Sequence, residues 1–237
     1  MIKGIYTSAT AMRQGILRQE LTAGNLANVN TTGFKRDRLF AEEMISAEGE
    51  KTDPLQLRSS RWTDFASGAL NPTAAPFDLA LQGEGFFVVS DGQNELYTRN
   101  GHFQRNAEGQ LVDTLGRTVQ GDGGSIAIPQ GRVEVSAGGI VSVDGVVVDR
   151  LRVVKFDNPQ TLHKAAGSAF AKAPTTTPAS PLDSPIVRQG YLETSNVDAV
   201  SEMVEMIATA RNYEINAKML TTQDDTLRHT VNEIGRV

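Results

Sequence analysis

Apolar residues recur in alternating steps of three and four at both ends of the chain, and nothing else in the sequence restricts its fold as strongly. Toward the N-terminus the series is Ile2, Ile5, Ala9, Met12, Ile16, Gln19, Ala23 and Leu26, with only Gln19 polar. Toward the C-terminus it is Ala199, Met203, Met206, Ala210, Tyr213, Ala217, Leu220, Asp224, Leu227, Val231 and Ile234, broken by Asp224. This is the seam spacing of a helix packed along another helix. It predicts one helix over residues 2–26 and a longer one over 199–234. The longer one has cap-forming residues at Ser195, Asn196 and Asp198, an i,i+4 pair in Glu214 and Lys218, and no proline or glycine before Gly235. About 37 residues at 1.5 Å each give a rod of roughly 55 Å, far beyond the mean globular helix. Such a helix needs partners along its length.

Between the ends the period changes. From Phe77 to about Phe156, short β-rich runs such as Phe86-Phe87-Val88-Val89, Ile140-Val141-Ser142-Val143 and Val146-Val147-Val148 alternate with glycine-containing turns. Asp91-Gly92, Asn100-Gly101, Gly138-Gly139 and Asp144-Gly145 are turn dipeptides whose glycine accepts positive φ. Two stretches read as connectors. Residues 37–75 are polar and carry Pro54 and Pro72, and residues 171–185 carry Pro174, Pro178, Pro181 and Pro185. The fold class expected is therefore α+β: long N- and C-terminal helices packed as an antiparallel coiled-coil-like pair, with a central all-β domain joined by extended arms. The boundaries expected are residues 1–36 for the first helix and its turn, 37–75 for the connector, 76–185 for the β domain, and 186–237 for a return strand and the second helix.

Composition narrows the function. The net charge of −5 and the lack of basic clusters beyond Lys35, Arg36 and Arg38 argue against nucleic acid as a partner. The chain has no cysteine, which removes disulfides, thiolate nucleophiles and cysteine metal sites. Residues 1–13 lack the apolar stretch and small-residue cleavage site of a secretory signal, and no run approaches the roughly 18 apolar residues of a membrane span, so no membrane insertion is expected. His102, His163 and His229 stand far apart, without the spacing of a metal site or nucleophile pair. Gly83-Glu84-Gly85 and Gly121-Asp122-Gly123-Gly124 complete no phosphate-loop motif. Asp113, Asp122, Asp144 and Asp149 occur singly at turns, where aspartate hydrogen-bonds locally. No catalytic residue, cofactor or metal is expected, and the chain does not read as an enzyme.

The stripes by themselves fit an intramolecular bundle as well as a polymer. More specific is Gly24-Asn25-Leu26-Ala27-Asn28-Val29-Asn30-Thr31-Thr32-Gly33-Phe34-Lys35-Arg36. It closely resembles the N-L-A-N-x-x-T-x-G-F-K-R signature of flagellar rod and hook proteins. Asn28 and Asn30 suit a helix end, Gly33 a turn with positive φ, and Phe34 an apolar plug beside Lys35 and Arg36. A second block, Gln189-Gly190-Tyr191-Leu192-Glu193-Thr194-Ser195-Asn196-Val197-Asp198, leads into Glu202-Met203, Met206, Tyr213-Glu214 and Lys218, and looks like the family's C-terminal motif. Asp78-Leu79-Ala80-Leu81-Gln82-Gly83 and Tyr97-Thr98-Arg99-Asn100-Gly101-His102-Phe103 are similar to its β-domain motifs. Gly24, where many members have asparagine, and Thr226, where methionine is common, depart from the pattern. The short connector after Arg36 is more like that of the family's proximal rod proteins than that of the distal ones.

The resemblance implies a structural subunit of the bacterial flagellar basal-body rod, exported through the type III apparatus without a cleaved signal. It implies polymerisation with itself and other axial proteins into a hollow shaft that crosses the periplasm and transmits torque. The assembly positions expected on the helices are Ile5, Met12, Ile16, Leu26, Met203, Met206, Ala210, Tyr213, Leu220, Leu227, Val231 and Ile234. Those of the signature turn are Asn25, Asn28, Thr31, Gly33, Phe34 and Lys35. The alternative from another class is a carbohydrate-binding or adhesive β module on a helical stalk, which requires exposed aromatics on the β domain.

Overall fold

The structure, a computed structural model, describes residues 2–42, 58–174 and 176–234. Residues 43–57, with Pro54 and the middle of the expected connector, lie outside the described residues, as do Thr175 and 235–237 with Gly235. The chain divides into two compact units. One comprises residues 1–27, 37–64 and 197–237, the other residues 28–36 and 65–196. The signature turn and the return segment before Val197, expected to group with the helices, thus group with the β unit. The physical reason is a buried polar network described below.

In the first unit, helix α1 spans Ile2–Ala27 and helix α2 spans Ala199–Ile234. Among the three cap candidates Asp198 does the capping. Its carboxylate accepts the Ser201 N–H at 2.7 Å, and its carbonyl accepts that of Glu202 at 3.0 Å. The helices pack antiparallel: Asn25 meets Glu202, Arg18 meets Glu205, Gly15 lies against Thr209 and Gly4 against Gln223.

The seam of this pair differs from the apolar stripe of α2 at every second position, where the residue one earlier in the chain turns inward. Glu202 and Thr209 are its most buried residues, followed by half-buried Met206, Asn216, Leu220, Gln223, Leu227 and Thr230. Ala210 and Ala217 flank it, whereas Met203, Asp224 and Val231 face outward. Asp224 pairs there with Arg228 at 3.1 Å. On α1 the buried residues are Ser8, Thr22 and Asn25, with Gly4, Ile5, Ala11, Met12, Gly15 and Leu26 half-buried and Ala9, Ile16, Gln19 and Ala23 exposed. Small residues on α1 let the backbones approach closely, and short polar side chains on α2 fill the seam better than long apolar ones. The segment expected as an extended connector also pairs with itself. Asp37–Glu42 and Arg58–Thr63 form an antiparallel pair, with Arg38 opposite Trp62 and Phe40 opposite Ser60.

The second unit is all-antiparallel β. Its main sheet runs in the order Leu162–Lys164, Ala169–Lys172, Glu95–Thr98, Phe86–Ser90, Thr118–Gly121, Leu111–Asp113, Phe103–Arg105. Phe86–Ser90 is covered on both faces, which is why it reads as an uninterrupted apolar run. Phe87 and Val89 join one core with Leu79, Leu81, Phe103, Val119 and Val141. Phe86 and Val88 join another with Tyr97, Phe156 and Phe170. The alternation is the period of two that a strand imposes. A meander of Val133–Val135, Ile140–Val143 and Val146–Arg150 flanks the sheet, and its second hairpin turns at Asp144-Gly145, both with positive φ. The proline-rich return is tied down as well: Ser180–Pro181 pairs with Val154–Lys155, and Leu182 donates to the Val153 carbonyl at 2.9 Å.

Phe87 is fully buried, and its ring packs edge-to-face on Phe103. Phe87→Ala should lower the stability of the chain by about 3–5 kcal/mol in chemical denaturation. Val146→Ala, at an exposed hairpin position, should stay within about 0.5 kcal/mol.

Candidate functional site

The signature segment leaves α1 through a compact turn. Thr31 donates its N–H to the Asn28 carbonyl at 3.1 Å and its hydroxyl to Asn28 Oδ1 at 3.1 Å, and Phe34 N–H reaches the Thr31 carbonyl at 3.3 Å. Gly33 then takes φ +66°, and a Cβ there would lie 2.3 Å from the backbone nitrogen of Asn100. Two constraints therefore coincide at Gly33, a left-handed backbone and a contact that leaves no room for a side chain. Thr32 secures the same approach by donating its hydroxyl to Asn100 Oδ1 at 2.7 Å.

Past Gly33 the segment lies beside the return strand Tyr191–Glu193. Gly33 N–H donates to the Glu193 carbonyl at 2.8 Å, Asn196 N–H to the Phe34 carbonyl at 3.4 Å, and Arg36 N–H to Asn196 Oδ1 at 2.7 Å. Phe34 lies under the Lys164 ammonium, 4.0 Å from its ring centre, while that ammonium also donates to the Lys35 carbonyl at 2.5 Å.

Lys35 points inward. Its side chain is wholly buried, and its ammonium donates to Glu193 Oε1 at 2.5 Å and to the Ala66 carbonyl at 2.8 Å. Glu193, equally buried, also accepts the Gly68 N–H at 2.9 Å and Arg99 Nη1 at 3.3 Å. Arg99 donates in addition to the carbonyls of Leu81 and Gly83, at 3.4 and 2.5 Å, with its guanidinium 5.5 Å from the Phe86 ring centre. Burial pushes the Arg99 pKa down, a shift opposed by Glu193 and Glu84. One carboxylate thus holds two buried cations from segments distant in sequence, and Lys35 and Glu193 lie 158 residues apart. Such an arrangement is tolerable only because nearly every polar atom has a partner.

Asn25 forms a second polar lock, within the helical unit. Its side-chain amide pairs with the backbone of Asp37 in both directions, accepting the N–H at 2.9 Å and donating to the carbonyl at 2.8 Å. The same amide donates to Glu202 Oε2 on α2 at 3.3 Å. Asp37 in turn accepts the Thr63 hydroxyl at 2.8 Å, which fixes the start of the hairpin.

These contacts bring Asn28, Thr31, Gly33, Phe34 and Lys35 into one cluster and place Asn25 in another. Of the helix positions, Met206, Leu220 and Leu227 lie in the seam with Ala210 at its flank. Ile5, Met12 and Leu26 are half-buried on α1, while Ile16, Met203, Tyr213 and Val231 are exposed. Ile234 ends α2. Glu193, Glu202 and Arg99 were not among the sequence-derived site residues. The one signal that could have found them is that charged residues recur inside motifs with no chemistry to perform. Asp113 acts locally, pairing with buried Arg117 four residues on, whereas Asp144 accepts the Arg132 N–H and Asp149 the Gly123 N–H from 12 and 26 residues away. His102 contacts Asp78 at 2.7 Å. Among the described residues no three His, Asp or Glu side chains converge as a metal site would require, and no helix is long and apolar enough to cross a membrane.

Three family models match the chain. Residues 5–35 match the flagella basal body rod protein model, residues 80–147 the flagellar hook protein FlgE/F/G D1 domain, and residues 188–233 the flagellar basal body rod FlgEFG protein C-terminal model. The flagellar basal-body rod protein FlgF of Caulobacter vibrioides is 35% identical over 235 residues, covering 95% of this chain and 96% of that protein. The chain belongs to the flagellar basal-body rod protein family. FlgF of Escherichia coli is 36% identical over 242 residues, 95% of each chain. FlgG of Bacillus subtilis is 30% identical over 261 residues, with 98% and 99% covered. These are structural rod proteins, not enzymes. The first rod-protein model ends on Lys35 and the C-terminal one contains Glu193, Asn196 and Glu202, so both locks join the N-terminal model's segment to the C-terminal one. The aromatics of the β unit that the carbohydrate-binding alternative would expose, Phe86, Phe87, Tyr97, Phe103, Phe156 and Phe170, are buried.

Removing either partner of the Lys35–Glu193 pair leaves charge stranded in the interior. Lys35→Ala should cost about 3–5 kcal/mol. Glu193→Ala should cost more than Lys35→Ala, because it strands two cations rather than one carboxylate that still has Arg99. Gly33→Ala should destabilise by more than about 1 kcal/mol. Denaturant midpoints of the three variants, followed by fluorescence or circular dichroism, check the order.

Proposed function

We propose that copies of this rod-family chain polymerise through the outward faces of α1 and α2 into a hollow helical shaft that crosses the periplasm and transmits torque. The observation that carries this reading is the apolar surface the helical pair leaves uncovered. Val200, Met203, Val204 and Ile207 are 71%, 50%, 62% and 56% exposed, and Ile215, Met219 and Val231 are exposed further along α2. Tyr6 and Ile16 are exposed on α1. Contiguous apolar patches of this kind mark interaction surfaces. Contacts that do not close into a ring propagate as a filament. The partners are then other copies and other axial proteins, with the coiled-coil-like packing formed between subunits as well as within one. Export runs through the flagellar type III apparatus. Within the family the chain takes the proximal FlgF-type place, with FlgG as the second choice. The FlgF relatives of Caulobacter and E. coli align over 235 and 242 residues, against 261 for Bacillus FlgG, as the short connector requires.

Val204→Asp and Ile207→Asp test this. Both side chains face solvent in the single chain, so the purified variants should unfold within about 0.5 kcal/mol of the parent. In cells that depend on this chain, swimming and rod recovery should be abolished, because an unpaired charge would enter a subunit contact. Normal motility of both variants would refute the proposed face.

A further inference from the structure

Two stripes of α2 compete for the seam with α1, and they differ by one residue. The stripe through Met203, Ala210, Ala217, Asp224 and Val231 is more apolar, with Asp224 its one charged member. The stripe through Glu202, Thr209, Asn216, Gln223 and Thr230 is polar at every step, yet it is the one turned inward. Both share Met206, Tyr213, Leu220 and Leu227. Hydrophobic burial alone favours the first arrangement, and a turn of about 50° around the helix axis, half of one residue's rotation because the two stripes share every second position, would reach it.

We infer that Asn25 and Glu202 are positioning residues that set the rotational phase of α2 against α1, and so keep Met203 and Val231 of the more apolar stripe facing outward. Glu202 is 1% exposed, a costly position for a carboxylate unless its oxygens are hydrogen-bonded. Asn25 supplies a donor that is already aimed, because both ends of its amide are fixed on the Asp37 backbone. A rotation of α2 would pull Glu202 away from that donor. Gly15 faces Thr209 in this phase, with the Thr209 methyl 3.9 Å from where a Cβ would stand, an ordinary packing distance. The Arg18–Glu205 ion pair is too exposed on both sides to compete. A single buried polar pairing that selects one helix arrangement at a cost in stability is a known device of helical packing. The consequence for a polymer rests on the assembly reading above, whereas the phase itself does not.

The absence of cysteine makes the test direct, since a thiol introduced by substitution is the only one in the chain. Met203→Cys and Thr209→Cys are made separately in the full-length, unassembled chain and labelled with a maleimide. In the parent background Met203→Cys should react at least about tenfold faster than Thr209→Cys. Adding Asn25→Leu should shrink that ratio about tenfold or invert it, with helical circular dichroism retained. Adding Glu202→Gln, which keeps an acceptor for Asn25, should leave the ratio intact. Should Asn25→Leu lose helix, Glu202→Met takes its place, as it removes the pairing with no loss of apolar contact, and the ratio should fall there too. An unchanged ratio in the helical Asn25→Leu or Glu202→Met background overturns the inference, as does equal labelling of both sites in the parent. Because no assembled rod enters the measurement, its failure is separate from failure of the assembly reading.

Discussion

The β unit depends on one buried carboxylate. Glu193 holds Lys35, Arg99 and the Gly68 N–H, and its own carbonyl receives Gly33 N–H. Two cations and one anion without water cost several kcal/mol per ion to desolvate, and only close, multiple hydrogen bonds offset this. Geometry follows from that demand. Lys35 must arrive at a fixed depth, which requires Gly33 to approach the Asn100 backbone where no side chain fits, and Thr32 and Phe34 to take positions on either side. Buried ion pairs are often no more stable than apolar clusters of the same volume, and their directional partners restrict the geometry that satisfies them.

The helical unit shows the opposite distribution of polarity from an ordinary bundle. Its inner seam carries Ser8, Thr22, Asn25, Glu202 and Thr209, while Val200, Val204 and Ile207 meet solvent. A protein that functions alone gains nothing from this, since the pair buries little apolar area and risks aggregation. In a rod-family chain the same distribution leaves the strongest apolar surface available for contacts with other subunits, and makes the intrachain seam specific rather than strong.

The sequence made the existence of the two helices legible because a 3-4 period over tens of residues has no other reading. It did not make their phase legible. Apolar residues on α2 cover a wide arc, and two templates offset by one residue both fit through Met206, Tyr213, Leu220 and Leu227. Choosing by hydrophobicity selects Met203 and Val231, because a single sequence does not reveal that α1 will present Gly4, Ser8 and Gly15 across the seam. The β unit was readable where local chemistry decides, as at Asp144-Gly145 and in the doubly buried run from Phe86 to Val89. It was unreadable where pairing is long-range. Arg58–Thr63 has no apolar alternation and becomes a strand only because Asp37–Glu42 lies beside it. Lys35 and Arg36 read alike as surface cations, since burial of the first depends on a glutamate 158 residues away.

Helix length adds a further constraint. At 1.5 Å per residue, the 26 residues of α1 extend roughly 39 Å and the 36 of α2 roughly 54 Å. Since Gly4 already lies against Gln223, α1 ends close to that point and the last turns of α2 run on past it. Beyond Leu227 and Thr230, which still lie in the seam, those turns carry Val231 and Ile234, too few residues to hold a helix by propensity alone. In the proposed assembly exposed Val231 would meet helices of other chains. The length mismatch within the pair and the outward stripe along it are thus the same property, seen once along the helix axis and once around it.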